Sequence, residues 1–235
     1  MTTRRDFLFQ MSAAGAGWLA LRLLPGCEHI DVESKVAGHR VRFITPAEDG
    51  AWYWQSGNGI AKDEAPSISR DAWSLDIEGG GLSETVDFAD LRSMADDGKA
   101  MTYIKTMRCV FGTSIGTLTD SLVSTGVFKG IPVHEVFQTL DVPNDAVKLR
   151  TFGRDGFESN IPMSRALDDS MDGPLPVMLA YELNGRPLTR LRGGPVRLVI
   201  PEMWGYKNMK WLSRLQATAD DSDFGTYETE RFAGR

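Results

Sequence analysis

The chain has 235 residues, 42% of them hydrophobic, 25% charged and 9% aromatic, with a formal net charge of −6. That balance supports one sizeable globular domain with an ordinary core and excludes a disordered, repetitive or low-complexity chain. The acidity argues against nucleic acid as a partner.

Residues 4–8 read Arg-Arg-Asp-Phe-Leu after Thr3, and a weakly apolar stretch rich in Gly and Ala runs from Met11 to Leu24. This is the layout of a twin-arginine export signal over residues 1–26, addressed to the twin-arginine translocase. The alternative is a short amphipathic helix with two incidental arginines. Interrupted by Arg22, the stretch is too short for a membrane span, which takes roughly twenty apolar residues. It ends at Leu24-Pro25-Gly26-Cys27, similar to a lipobox in which Cys27 would carry lipid, although Pro25 is unusual there. Ordinary cleavage nearby or an uncleaved anchor remain open. The expected location is the periplasm or the outer face of the inner membrane, with residues 27–40 a linker and 41–235 the working domain. The export route carries proteins already folded, often with a cofactor inserted, so it favours a redox enzyme over a binding module.

The first twenty-six residues carry +2 (Arg4, Arg5 and Arg22 against Asp6), leaving the remainder near −8. Much of that acidity is local, in Asp168, Asp169, Asp172, Asp220, Asp221 and Asp223, and is expected in solvated loops. Along the domain, Val41–Ile44 and Trp73–Ile77 alternate like half-buried strands, and Gly79-Gly80-Gly81 closes the second with a turn. A short helix is expected over Phe88–Met94, a strand over Met101–Phe111 with Cys109 near its end, and one or two helical turns over Pro132–Leu140. Val147–Phe152, Pro176–Leu183 and Val196–Ile200 read as strands, and the residues after Met209 as strand or short helix. The pattern predicts a single mixed α+β domain dominated by sheet.

If Cys27 is lipidated or removed, Cys109 is left as a solitary thiol in an oxidising compartment. It is then either a small buried hydrophobe or a soft ligand for a metal. Zinc is not supported, because His29, His39 and His134 show no paired ligand spacing. Gly112-Thr113-Ser114-Ile115-Gly116 matches a nucleophile elbow, which would make Ser114 the centre of a serine hydrolase. The only histidine downstream, His134, is too near to complete the usual order of a triad, so a plain Gly/Ser/Thr loop is the favoured reading.

Thr106-Met107-Arg108-Cys109-Val110, Phe128 to Val133, Leu179 to Leu188, Gly193 to Pro201 and the run Trp204-Gly205-Tyr206-Lys207-Asn208-Met209-Lys210-Trp211-Leu212 together resemble the molybdopterin-binding domain of the sulfite oxidase family. With Ile44-Thr45-Pro46 and Gly225 to Phe232, the resemblance covers about residues 41–235, and its C-terminal third is the most specific part. The exported, single-domain layout is most similar to periplasmic methionine-sulfoxide-reductase catalytic subunits. The resemblance implies one molybdenum carried by a single pterin, with Cys109 as the metal's thiolate ligand and Arg108 helping to keep it deprotonated. It implies pterin contacts at Tyr53, Trp54, Thr151 and Arg192. Arg197, Lys207 and Lys210, with the Asn208, Met209 and Lys210 backbone, suit the pterin's terminal phosphate.

Two departures bear on the substrate. Sulfite-oxidising members place Gly-Asn-Arg-Arg after the metal cysteine, where this chain has Val110-Phe111-Gly112-Thr113, and a tyrosine where it has Phe157. The second change removes a hydroxyl donor beside the metal; Arg192 is the candidate to restore positive charge. The implied chemistry is two-electron oxygen-atom transfer on a small sulfoxide-like molecule or, second, a sulfur oxyanion. A catalytically inert binding lipoprotein on the same scaffold is the competing class. Without a C-x-x-C-H motif no haem is expected, and electrons would pass to or from a separate carrier, a membrane haem protein or a cytochrome.

Overall fold

The computed structural model describes residues 33–36, 39–42, 44–45, 52, 56–109, 123–138, 140–170 and 173–227. The export signal, Cys27, Tyr53, Trp54 and the Ser114 loop lie outside these residues. Strands β1 (Glu33–Val36) and β2 (His39–Arg42) form a separate antiparallel pair.

Two five-stranded sheets build the domain. The first has the order β4-β3-β12-β7-β8, using β3 (Ser74–Gly79), β4 (Leu82–Asp87), β7 (Lys148–Gly153), β8 (Glu158–Pro162) and β12 (Leu212–Thr218). Strand β12 runs parallel to β3 and antiparallel to β7, so the segment after Met209 is strand and stands at the centre of the sheet. The Trp73 indole N–H donates to the Leu212 carbonyl at 2.9 Å, tying the start of β3 to that central strand. The second sheet runs β10-β9-β6-β5, from β5 (Met101–Arg108), β6 (Val123–Pro132), β9 (Met178–Leu183) and β10 (Arg186–Pro187), with β11 (Arg197–Val199) also on β9. Among the described residues the α-helices are few and short: α1 (Phe88–Asp96), α2 (Val133–Phe137) and α3 (Met163–Ala166). Helix α1 begins where sequence patterning expects it because Asp87 and Asp90 form a reciprocal capping box. Among the described residues no helix is long and apolar enough to cross a membrane.

The main core lies between the sheets and takes Leu75, Ile77, Leu149, Ile161, Leu179, Leu198, Leu212 and Leu215 from both. A second cluster, Trp52, Tyr103, Met107, Phe128, Met178 and Val199, covers another face of the second sheet. Strand β5 alternates strictly: Tyr103, Lys105 and Met107 are buried while Thr102, Ile104, Thr106 and Arg108 are exposed. It therefore delivers Cys109, directly after its last residue, to the edge of the second cluster. Strand β6 is buried on most of its length, so it lacks the alternation that betrays a half-exposed strand. The acidic 220–223 loop is solvated yet anchored: Lys148 donates to the Ser222 carbonyl at 3.0 Å and pairs with Asp221 and Asp223, while Arg150 holds Asp220.

Gly130 permits the closest approach of β6 to β9, at a register shift between Lys129 and Gly130. A Cβ there would sit 2.1 Å from the Leu179 carbonyl oxygen. Gly130→Ala is expected to destabilise the domain by about 1–3 kcal/mol through forced separation of the strands. Urea unfolding measures it, and an unchanged midpoint would contradict this packing.

Candidate functional site: a cationic cleft at the end of β5

An open cleft of about 690 Å³ is lined by Met107 and Cys109 from the end of β5, Arg197 from β11, Asn208, Met209 and Lys210 from the segment before β12, and Asp155 and Phe157 from the β7–β8 turn. Trp52, Ser56, Gly57, Gly205, Tyr206 and Tyr227 complete the wall.

Arg197 organises the floor. It is 4% exposed, and its guanidinium donates to the Arg192 carbonyl at 3.1 Å and the Asn208 carbonyl at 2.8 Å. Asn208 braces the same region from its side chain, accepting from the Ile200 N–H at 2.7 Å and donating to the Trp204 carbonyl at 2.7 Å. A 3-10 turn at Arg190–Arg192 ends on Gly193 at φ +87, a conformation glycine adopts without the Cβ penalty. A Cβ at Gly193 would meet the Lys210 side chain at 2.8 Å, so the glycine also makes room for that lysine.

Positive charge is in excess here. Burial first, then repulsion from Arg197 and Arg192, push the Lys210 ammonium well below its ordinary range, and Asp155 is the counter-charge that opposes them. The Asp155 carboxyl is itself raised, chiefly by burial, against the hydrogen bonds it accepts from the Phe157 N–H at 3.2 Å and the Ser56 hydroxyl at 3.4 Å. Arg192 and Arg197, with a Lys210 amine that would regain its proton beside a bound anion, make the cleft floor favourable to negative charge.

The opposite wall is aromatic. Phe157 is buried with its ring 5.6 Å from Tyr227, which crosses Tyr206 edge-on at 5.8 Å. The Tyr227 hydroxyl donates to the Gly57 carbonyl at 2.7 Å, closing the 56–59 loop over the ring.

Of the residues expected from sequence, Cys109, Phe157, Arg197, Asn208, Met209 and Lys210 share this cleft. Arg192 is 2% exposed and stands behind it, acting through its charge and its carbonyl. Thr151 is buried on β7 away from the lining, its hydroxyl without a hydrogen-bond partner among the described residues. Lys207 turns away and donates to the Asn160 carbonyl at 2.7 Å, fastening β8. The Asn208 and Met209 N–H groups are engaged by the Gly205 and Lys207 carbonyls, each at 3.1 Å, so they close their own turn. Arg108 places its guanidinium 5.1 Å from the Trp204 ring centre. His134 belongs to α2, where it faces Glu135 at 3.7 Å outside the cleft. Asp155 carries no sequence signal, while Tyr206 and Tyr227 lie within the 204–212 and 225–232 stretches that carry the family resemblance but have no local spacing that gives them a role.

Residues 62–225 match the oxidoreductase molybdopterin-binding domain. The chain belongs to that family. Among relatives, it is 28% identical over 174 residues to mitochondrial sulfite oxidase of Drosophila melanogaster, covering 67% of this chain and 29% of that protein. It is 26% identical over 198 residues to sulfite oxidase of Gallus gallus (77% of this chain, 41% of that one). It is 32% identical over 111 residues to inducible NADH nitrate reductase 2 of Glycine max (43% and 12%). The chain thus spans under half the length of these proteins. The sulfane dehydrogenase SoxCD from Paracoccus pantotrophus shares the fold, with a TM-score of 0.57 at 24% identity over 66% of this chain and 40% of that one. The molybdopterin-binding family and the cleft agree chemically: a pterin phosphate suits the buried cation cluster, and a soft metal suits the half-buried Cys109 thiol.

Lys105, on the buried face of β5, donates to the Pro201 and Met203 carbonyls at 2.5 and 2.7 Å. Burial, opposed by attraction from Glu202 and reinforced by repulsion from Arg197, pulls its ammonium down to about 8 from an ordinary 10.5. Between these values the unfolded chain holds a proton that the folded one has released, so stability rises with pH across that window. The expected gain is about 3 kcal/mol. Urea unfolding of cofactor-free protein at pH 7.5 and 10 should show the rise, and Lys105→Met should flatten it; parallel slopes in the two proteins would contradict the assignment.

Proposed function

We propose that this chain is an exported molybdopterin-dependent oxidoreductase that transfers an oxygen atom, with two electrons, to or from a small sulfur compound, with reduction of a sulfoxide as the primary direction. The observation that carries the proposal is the meeting of the Cys109 sulfur and the Arg197–Lys210 cations in one cleft of a molybdopterin-binding domain. Cys109 would hold the metal as thiolate, Lys210 and Arg197 would bind the pterin phosphate, and Asn208 and Met209 would line the cofactor pocket beside them. Bound there, the cofactor supplies the two-electron oxygen-atom chemistry.

The chain's own contribution is orientation and local polarity. Phe157, Tyr206 and Tyr227 offer an aromatic wall, which suits a neutral, partly apolar sulfoxide better than a strongly hydrated oxyanion. Phe157 brings no hydroxyl, so a proton for the departing oxygen must come from elsewhere in the cleft or from water. The sulfur oxyanion remains the second substrate class. Electrons would come from a separate carrier, a membrane haem protein or a cytochrome. The Arg4-Arg5 pair supports export by the twin-arginine translocase to the periplasm, and Cys27 supports a lipid anchor on the outer face of the inner membrane.

Cys109→Ser replaces a strong, soft donor with a poor one, so viologen-coupled sulfoxide reduction should collapse while the fold and a measurable fraction of the bound molybdenum and pterin persist. Wild-type activity in that variant would contradict the role of Cys109. The export signal is tested separately: Arg4→Lys with Arg5→Lys should retain the precursor in the cytoplasm on fractionation, whereas normal yield outside the inner membrane would remove the twin-arginine reading.

A further inference from the structure

The cleft is assembled from parts that backbone hydrogen bonding does not join directly. Cys109 follows β5, at one edge of the second sheet, while β11 pairs with β9 and holds the segment leading to Lys210 through the Leu198 N–H to the Met209 carbonyl at 2.8 Å, with β6 between β9 and β5. The distance between the sulfur and the cations therefore depends on side chains that cross the face of the sheet. Two residues of β5 do so. The single proton of the Tyr103 hydroxyl is shared between the Pro176 carbonyl at 3.1 Å and the Val199 carbonyl at 3.3 Å, and Lys105 holds the Pro201 and Met203 carbonyls.

Lys105 is 4% exposed and lies two residues before Met107, which lines the cleft beside Cys109. The turn it grips runs directly into Trp204 and then Gly205, where the lining resumes. Glu202, between the two accepted carbonyls, supplies the nearby negative charge and is itself held by Arg165 at 2.8 Å. A group whose charged form is disfavoured by burial adds nothing to stability by being charged, and an apolar chain of similar length would fill the same space. What a methionine cannot do is hold two carbonyls of the turn at fixed distance from β5.

We propose that Lys105 is a positioning residue for the cofactor site, its ammonium clamping the Pro201–Met203 turn to β5 and so setting the span between the Cys109 sulfur and the Arg197–Lys210 cations. This rests on the molybdopterin reading above. Lys105 is not among the residues that line the cleft; it acts through the turn.

The test compares wild type, Lys105→Met and Lys105→Arg, each purified as holoprotein from a molybdenum-competent host. The readouts are pterin per protein from the fluorescence of its oxidised form, molybdenum per protein, and the electron paramagnetic resonance signal of the pentavalent metal. Loss of a residue that supports the primary contacts lowers loading about 10–100-fold, so Lys105→Met should fall by at least about tenfold while its melt stays cooperative. Lys105→Arg keeps charge and donors and should load well above the methionine variant. Methionine protein that matches wild type in loading and resonance signal overturns the proposal, and so does equal loss in both variants, since side-chain fit alone would then decide. Should the methionine variant fail to fold, Lys105→Gln replaces it with the same two outcomes. Wild type devoid of pterin removes the cofactor reading and this inference with it; loaded wild type beside an equally loaded methionine variant removes the role of Lys105 alone.

Discussion

The paired hydrogen bonds from Arg197 to the Arg192 and Asn208 carbonyls hold the site together. One guanidinium closes the Arg190–Arg192 turn onto the Asn208 segment, and in the same position it adds a buried positive charge to the cleft floor. A neutral side chain could replace neither function. Because Arg197 is anchored by both carbonyls, its charge cannot swing out to water, and Lys210 must bear the repulsion. The fold thereby stores an electrostatic demand that an anion of two charges would meet. The same anchoring means that removing Arg197 would loosen the apo fold as well as the ligand contact, so its two roles cannot be separated by truncation.

The two halves of the cleft differ in kind. The Arg197–Lys210 side is polar and braced through backbone carbonyls, whereas the Phe157–Tyr206–Tyr227 side is held by ring contacts and a single hydroxyl bond to Gly57. Precise placement belongs to the first half, where a cofactor would stay permanently. Adaptable apolar contact belongs to the second, where, under the proposed function, a substrate would enter and leave. Cys109, partly exposed at the end of β5, lines the same cleft as both.

Much of this arrangement was legible in the sequence, for reasons that differ by element. Strands β3 and β7 and the 88–96 helix announce themselves by periodicity and by the Asp87 cap; the 176–183 and 196–200 runs that contain β9 and β11 do so by their Val, Leu and Ile. Strand β6 does not, because it is buried on both faces and interrupted by Gly126 and Gly130, and β8 reads as polar Glu-Ser-Asn before Ile161. In the site, Cys109, Arg197 and the 208–210 run are recognisable because they cluster in two short, specific stretches. Lys207 belongs to the same run, yet the 3-10 turn at Gly205–Lys207 aims it at Asn160. Asp155 and Tyr227 reach the cleft only through the β7–β8 turn and the segment after β12, a juxtaposition that local patterning does not encode. Lys105 reads as one more exposed strand lysine until the turn it clamps is placed over it.

Under the proposed function, the Cys109 sulfur at the end of β5 would bind molybdenum. Molybdenum X-ray absorption on holoprotein tests that bond most directly, comparing wild type with Cys109→Ser at matched pterin content. The expected result is one fewer sulfur neighbour around the metal in the serine variant. An unchanged sulfur shell, or wild-type protein from a molybdenum-replete host that holds no molybdenum, would contradict it.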